Sequence, residues 1–383
     1  MAKKASLYIH VPFCTSRCAY CDFFSTVQKD SSIYKSYVET LTRDIAFFKD
    51  RYSVDYFETV YMGGGSPSLL DEELIFYLSG FITSLQKEKI KEFTIEATPK
   101  DVNKTKLKVW QEAGINRLSL GLESMEDGVL QKVHRASGRE NILEALDNVS
   151  NFWDCLLSFD FIAGLEGETI KTFLNNLEIA LKYTPNHISL YELISYKEEK
   201  VGQKLLKEKM WQEGKMLLKS QDYIQYEVSN FSYRGDFESL HNKAYWQFCD
   251  YIGVGSSATG NIKIEGVPLM YNRFTGICDV TLYIEEKDRD RAYTSECVEG
   301  INVIKDALLM GFRLTKGIDM INFEKTFGKS LLTLIPNTIK TWRANRLLVL
   351  ENNFSHLTDK GLLLLNQFLL SCFRELEYSK IEF

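Results

Sequence analysis

The sequence predicts an α/β fold: a partial (β/α)6 barrel followed by a smaller, winged-helix-like C-terminal domain. Three observations carry that expectation. Six short β-rich runs alternate with amphipathic helical stretches through the first half of the chain. Residues with chemistry to offer fall at the carboxyl ends of successive runs, where a βα barrel has its rim. From about residue 299 the pattern changes to helices and one hairpin. At 383 residues the chain is long enough for a large domain plus a small one.

Strands are expected at 7–11, 58–62, 92–97, 117–121, 156–163 and 187–191, and helices at 32–49, 71–86, 103–113, 139–152 and 168–183. Ser32 and Asp71 stand where helix starts want a side-chain acceptor. An open doubly wound sheet and a barrel both satisfy this alternation. The placement of unusual residues favours the barrel: cysteines follow the first strand and Gly63-Gly64-Gly65-Ser66-Pro67 the second, while Glu96, Glu123 and Glu192 end or follow later ones. Past Leu193 a helix is expected at 202–220, then a Gly- and aromatic-rich stretch of weak periodicity over 223–276. Helices follow at 301–312, 323–327 and 330–345. A hairpin over 347–357 turns at Asn352-Asn353, and a last helix begins at Thr358-Asp359 and runs to Cys372. The expected division is a barrel over 1–222, a connecting region over 223–298 and the C-terminal module over 299–383.

Composition is that of an ordinary globular chain, with 45% hydrophobic and 26% charged residues. A net charge of −6 gives no global basic field, which argues against a nucleic-acid partner. The apolar stretch after Met-Ala-Lys-Lys is broken by His10 and Pro12 and is too short for an export signal, and the run at 361–373 is too short to span a bilayer. A cytoplasmic location is expected. In that reducing compartment the eight cysteines are not a disulfide framework.

Three of the eight are crowded as Cys14-x3-Cys18-x2-Cys21. Three soft thiolates on one tight loop suit an iron–sulfur cluster or zinc. Structural zinc usually wants four ligands, often as two separated pairs, and no second pair is visible here. A four-iron cube on three ligands keeps one iron open.

The stretch from Tyr8 through Cys14 to Cys21-Asp22-Phe23 resembles the cluster loop of radical S-adenosylmethionine proteins. More narrowly it is similar to the branch of oxygen-independent coproporphyrinogen III oxidases and their heme-chaperone relatives. The resemblance implies a [4Fe–4S] cluster on Cys14, Cys18 and Cys21 whose open iron takes S-adenosylmethionine. It also implies that Gly64, Gly65 and Ser66 line the methionyl part of that cofactor. Glu96, Arg135, Asp160, Tyr8 and Tyr20 match polar or aromatic cofactor neighbours, and Glu123 stands where the family usually has Gln. Read without the resemblance, Glu96 and Asp160 are equally well buried carboxylates paired with Arg135 or Arg117. Further departures are Glu166 for Pro, Ser137 for His, Ser257-Ala258-Thr259 for Gly-Ala-His, and residues 195–198 for Glu-Pro-Gly-Thr.

Two features separate the branches. The oxidases resemble Cys-x3-Cys-x2-Cys-x-Cys, and the place of that fourth cysteine holds Phe23 here. His241-Asn242-Lys243-Ala244-Tyr245-Trp246 fits the His-Asn-x-x-Tyr-Trp motif of the heme chaperones. The resemblance therefore implies heme as ligand, with His241 as its axial metal ligand and Tyr245 and Trp246 shaping the pocket. A lone histidine beside aromatics is otherwise more often a core residue. An ordinary imidazole would let the iron go below about pH 6. The family also implies a heme-accepting partner such as a membrane respiratory protein, cluster-dependent dimerisation and association with membranes. The enzyme alternative is coproporphyrinogen III decarboxylation. A third reading is a winged-helix regulator with a redox-sensing cluster, for which Lys340, Arg343 and Arg346 offer only a sparse basic face.

Overall fold

The computed structural model describes residues 2–28, 30–194 and 201–378. Six parallel strands run in chain order across its main sheet: β1 (Lys4–Val11), β2 (Tyr56–Gly64), β3 (Glu92–Ala97), β4 (Arg117–Glu123), β5 (Leu156–Ala163) and β6 (His187–Glu192). Both faces of these strands are largely covered, as parallel sheets require. Between them lie α1 (Ser32–Arg51), α2 (Glu72–Ser84), α3 (Lys104–Glu112), α4 (Asp127–Lys132), α5 (Arg139–Phe152) and α6 (Ile170–Leu181), with α7 (Val201–Ser220) after β6. Local chemistry fixes several starts. Asp71, Asn103 and Thr169 each accept a hydrogen bond from a backbone N–H of the first turn that would otherwise lack a partner.

The predicted elements fall where expected, and 92–97, 139–152 and 156–163 match to the residue. The weakly periodic region is more regular than its sequence suggests. It supplies β7 (Tyr223–Gln225) and β8 (Asn230–Tyr233), then helix α8 (Leu240–Trp246), then β9 (Tyr251–Val254), β10 (Thr259–Lys263) and β11 (Met270–Gly276). Helix α9 (Val280–Glu285) and β12 (Tyr293–Glu299) complete the sheet. Among the described residues its order is β12-β11-β10-β9-β1-β2-β3-β4-β5-β6-β8-β7, twelve strands in all. Strand β8 pairs antiparallel with β6, and β9 pairs parallel with β1, so α8 carries the chain from one edge of the barrel sheet to the other.

Beyond β12 the chain builds a second apolar core around Ile304, Leu308, Phe312, Leu331, Phe368 and Leu369. The helix expected over 330–345 is two pieces, Leu331–Leu334 and Pro336–Ala344. Pro336 lacks the N–H that would continue the first, so it begins the second instead. The last helix is likewise divided into Asp359–Leu362 and Leu365–Tyr378. The hairpin is as read: Asn352 and Asn353 both take positive φ, 49° and 66°, the two-residue turn that matches strand twist. Among the described residues no helix is long and apolar enough to cross a membrane.

One buried ion pair ties the added strands to the barrel. Asp44 of α1 is fully buried and holds the Arg289 guanidinium, with Nη2 3.0 Å from Oδ2. The hydroxyls of Tyr283 and Tyr293 donate to the same carboxylate. Asp44→Ala strands a buried cation, a loss of about 3–5 kcal/mol in such settings. The first unfolding transition in urea should therefore begin at clearly lower denaturant. An unchanged transition would show that the pair does not hold these elements together.

Candidate functional site

The barrel strands alternate along their length. Leu7, Ile9 and Val11 of β1 lie in the apolar core, while Ser6, Tyr8 and His10 point the other way, into the lumen. By the same period of two, Thr59 and Tyr61 of β2, Glu92, Thr94 and Glu96 of β3, Ser119 and Glu123 of β4, and Asp160 of β5 form a polar inner face. At the carboxyl end of this lumen two adjoining cavities open, of about 540 and 580 Å³, within the roughly 300–1,000 Å³ usual for small-ligand sites.

The first cavity contains the cysteine loop. Phe13–Cys14 pairs with Thr26–Val27 as a short parallel ladder, which closes the loop at its base. The Ala19 N–H donates to Val133 O at 3.0 Å and holds the loop against the end of α4. Cys14, Cys18 and Cys21 are partly exposed free thiols that all line this cavity. Burial pushes the Cys14 and Cys21 thiols up, so a metal must displace their protons to bind. Among the described residues no three His, Cys, Asp or Glu side chains converge on the point a single metal ion would need. Three soft thiolates on one loop suit an iron–sulfur cluster.

Facing the loop are the other predicted contacts. Arg135 donates from Nη2 to Gly121 O at 2.6 Å and from Nη1 to Tyr20 Oη at 3.2 Å. Its Nη1 lies 3.9 Å from Cys18 Sγ, and its Nη2 pairs with Glu123 at 3.4 Å. Its Nε has no hydrogen-bond partner among the described residues, nor does Asp160 Oδ1; Asp160 Oδ2 accepts from Ser119 at 2.8 Å. Glu96 accepts from Tyr61 Oη at 2.7 Å and from the Gly64 N–H at 3.1 Å. Neither Glu96 nor Asp160 is engaged by an arginine in an ion pair; Arg117 belongs to Glu92 and Arg135 to Glu123. Burial, assisted by neighbouring carboxylates, raises Glu96 and Glu123 to about 7. Glu123 also takes φ 62°, an unusual conformation for a residue with a β-carbon.

Gly64, Gly65 and Ser66 line the same cavity, but backbone packing already demands the two glycines. A β-carbon on Gly64, at φ 108°, would stand 2.4 Å from the His10 ring, and one on Gly65 2.6 Å from Phe13 O. Of the departures, Ser257, Ala258 and Thr259 line the second cavity, Ser137 is buried and accepts from the Lys100 N–H, and Glu166 lies on the surface beside Lys132. Residues 195–198 lie outside the described residues.

The second cavity is walled by aromatic rings, among them Tyr61, Tyr245, Trp246, Tyr251 and Tyr271, with Lys263 and Met310. His241 lies at its wall, fully buried. Its Nδ1 meets Thr59 Oγ1 at 2.8 Å, its Nε2 meets Tyr245 Oη at 2.8 Å, and its ring stacks on Tyr61 with centroids 5.1 Å apart. Burial holds its pKa down at about 3. This corrects the expectation that protonation frees the iron below about pH 6: the imidazole stays neutral far below that. Tyr8 and His10 also border this cavity, bonded to each other at 2.9 Å. Asp22, Phe23, Gly64, Glu96 and Tyr191 line both cavities, and Phe23 is 62% exposed between them.

Sequence reading missed Thr59, Tyr61 and Glu92. Glu92 accepts from Ser239 Oγ and from the Leu240 and His241 N–H groups at 2.9, 2.9 and 3.0 Å, and so sets the start of α8. The signal was available as the period-two run of polar residues in strands that otherwise read as apolar.

Residues 8–180 match the family described as the Radical SAM superfamily, and residues 298–364 match the HemN C-terminal domain. The heme chaperone HemW of Bacillus subtilis (strain 168) is 30% identical over 384 residues, an alignment that spans 94% of this chain and 97% of that one. The heme chaperone HemW of Lactococcus lactis is 28% identical, over 94% of this chain and 95% of its own. The solved structure of coproporphyrinogen III oxidase (HemN) from Escherichia coli, described as a radical SAM enzyme, superposes with a TM-score of 0.80. It is 19% identical and covers 97% of this chain and 90% of that one, a likeness of fold.

The raised carboxylate gives a signed prediction. Glu96 titrates near 7 when folded against 4.5 when free, so the folded state binds more protons between those values and stability falls as pH rises through them. Glu96→Gln removes that loss. Without ligands it should melt above the parent at pH 8, by the equivalent of about 3 kcal/mol, and the gap should close toward pH 4.5. A gap independent of pH would contradict the assignment.

Proposed function

The chain belongs to the HemW heme-chaperone family of radical S-adenosylmethionine proteins, and on that premise we propose that it binds heme in the aromatic cavity and hands it to an acceptor protein. Membership in the superfamily implies a [4Fe–4S] cluster and S-adenosylmethionine, which this reading assigns to the cavity on the cysteine side. The observation that carries the proposal is the shared wall: the cysteine-lined cavity and the His241-lined cavity meet at Asp22, Phe23, Gly64, Glu96 and Tyr191. A cofactor in one and a macrocycle in the other would be neighbours.

In this reading Cys14, Cys18 and Cys21 give up their thiol protons to hold the cluster, which when bound offers an open iron to the amino and carboxylate groups of S-adenosylmethionine. The residues of the chain orient that molecule. The unpartnered Asp160 Oδ1 and the Glu96 carboxylate suit its amino N–H donors and sulfonium charge, and the unpartnered Arg135 Nε suits its carboxylate. In the second cavity a neutral His241 would bind heme iron, aromatic rings would cover the macrocycle, and Lys263 is a cation for a propionate.

Decarboxylation of coproporphyrinogen III is disfavoured by Phe23, an exposed apolar side chain where the oxidase pattern has a thiol. The acceptor proposed from the resemblance is a membrane respiratory protein, and the assembly a cluster-dependent dimer in the cytoplasm that associates with membranes.

Anaerobic reconstitution should load about four irons per chain. Any one of Cys14→Ala, Cys18→Ala or Cys21→Ala should abolish that load, while Cys155→Ala leaves it. Zinc recovered instead of iron would overturn the cluster. Arg135→Ala and Asp160→Ala should weaken S-adenosylmethionine binding with the cluster intact.

A heme titration should give one Soret-active site per chain that is lost or spectrally altered in His241→Ala, unaffected in His356→Ala, and retained at pH 5. The loaded protein should then pass heme to an apo-acceptor without converting coproporphyrinogen III. Sustained coproporphyrinogen turnover with S-adenosylmethionine and a reductant would favour the oxidase instead.

A further inference from the structure

We propose that Tyr245 latches His241: its phenol hydroxyl occupies the ring nitrogen that heme iron needs, and heme is taken up only as that hydroxyl withdraws. The inference rests on the heme reading above and adds a positioning residue to it.

The hydrogen-bond chain around the imidazole fixes its tautomer. Thr59 Oγ1 donates its only proton to Ser6 Oγ at 2.9 Å, so toward His241 Nδ1, 2.8 Å away, it acts as acceptor. Nδ1 therefore carries the ring proton, and Nε2 carries the lone pair. That lone pair accepts the Tyr245 hydroxyl at 2.8 Å. The nitrogen electronically ready to bind iron is the one already in use.

The two partners differ in freedom. The imidazole is held on three sides, by Thr59, by the stacked Tyr61 ring and by the bond from its own backbone N–H to Glu92. Tyr245, one turn further along α8, meets His241 edge-on at 4.9 Å and Tyr251 edge-on at 4.6 Å, and it borders the open cavity. Among the described residues its hydroxyl has the one bond to His241. The tyrosine is thus the member that moves. On uptake an iron–nitrogen bond forms and the O–H···N hydrogen bond breaks. The proton stays on the phenol oxygen, and no electron changes hands.

The test pairs two conservative substitutions with opposite expected signs. Tyr245→Phe keeps the ring and deletes the hydroxyl that competes for Nε2. Hemin titrated into the reconstituted full-length variant should bind roughly three- to tenfold more tightly than to the parent, the value of one competing hydrogen bond. Stopped-flow rates should level off with hemin concentration in the parent, where the latch opens first, and stay linear in the variant. Thr59→Val removes the acceptor that anchors Nδ1–H and should weaken binding several-fold. Misfolding cannot tighten binding in one variant while the other weakens it. Equal or weaker hemin affinity for Tyr245→Phe, with unchanged kinetics, would overturn the latch while leaving His241 as the ligand. An unaltered Soret band in His241→Ala would instead remove the heme reading and the latch together.

Discussion

The carboxylate of Glu92 is the fixed point on which the second cavity depends. Buried beneath the lumen, it receives the Arg117 guanidinium at 3.0 Å together with the Ser239 hydroxyl and the first two N–H groups of α8. Arg117 reaches on to Phe237 O at 3.1 Å. A helix start presents unpaired donors and a partial positive charge, and an anion at that spot satisfies both. The segment that crosses from the β6 edge to the β1 edge is thereby pinned to the middle of the barrel, and His241, at the second position of that helix, is delivered onto Thr59 and Tyr61. Removing either charge would leave the other buried without its counter-charge, a cost far above that of an exposed pair.

The same rule of satisfaction organises the lumen above it. A parallel sheet covered by helices outside and by a crossing segment inside has to bond every polar side chain it turns inward. Ser6 meets Thr59, Thr59 meets His241, Tyr61 meets Glu96 and Ser119 meets Asp160. The pairing is incomplete: Thr94 Oγ1 and Arg117 Nη1 lack partners deeper in the lumen, and Arg135 Nε and Asp160 Oδ1 lack them at its carboxyl end, among the described residues. Unspent hydrogen-bonding capacity in a buried place is costly to the empty protein, and a ligand that supplies the missing partners recovers that cost.

Much of this was legible in the sequence because it is local. The Asp71 and Thr358 caps and the Asn352-Asn353 turn are each decided within a few residues and match the structure, whereas Ser32 is already inside α1, whose start has no side-chain cap. Pro336 was equally local and should have broken the expected helix at once. The short strands β8 and β9 were not legible, since they pair with β6 and with β1, the latter about 250 residues away, and their register is set by the barrel edges they complete. The surroundings of His241 were hidden for the same reason: Tyr61, which stacks on it, and Tyr251, which packs on its partner Tyr245, come from two different strands. Burial, which neither motif nor spacing encodes, then moved its titration to about 3.

The two cavities differ in the physics they offer, and that difference bears on how one barrel serves two ligands. The cavity beside the cysteines is lined by Asp22, Glu96, Glu123, Asp160 and Glu192 against Arg17 and Arg135, so it favours a small molecule carrying more positive than negative groups. The neighbouring cavity is walled mainly by rings, which reward a flat apolar ligand with area burial and stacking. Phe23 stands on the boundary, exposed and apolar, where a thiolate would add a further negative group and a reactive one. On the proposed reading, exchanging that thiolate for a phenyl ring changes the boundary from a place for reaction to a surface for holding a macrocycle, while the fold around it stays that of the oxidase.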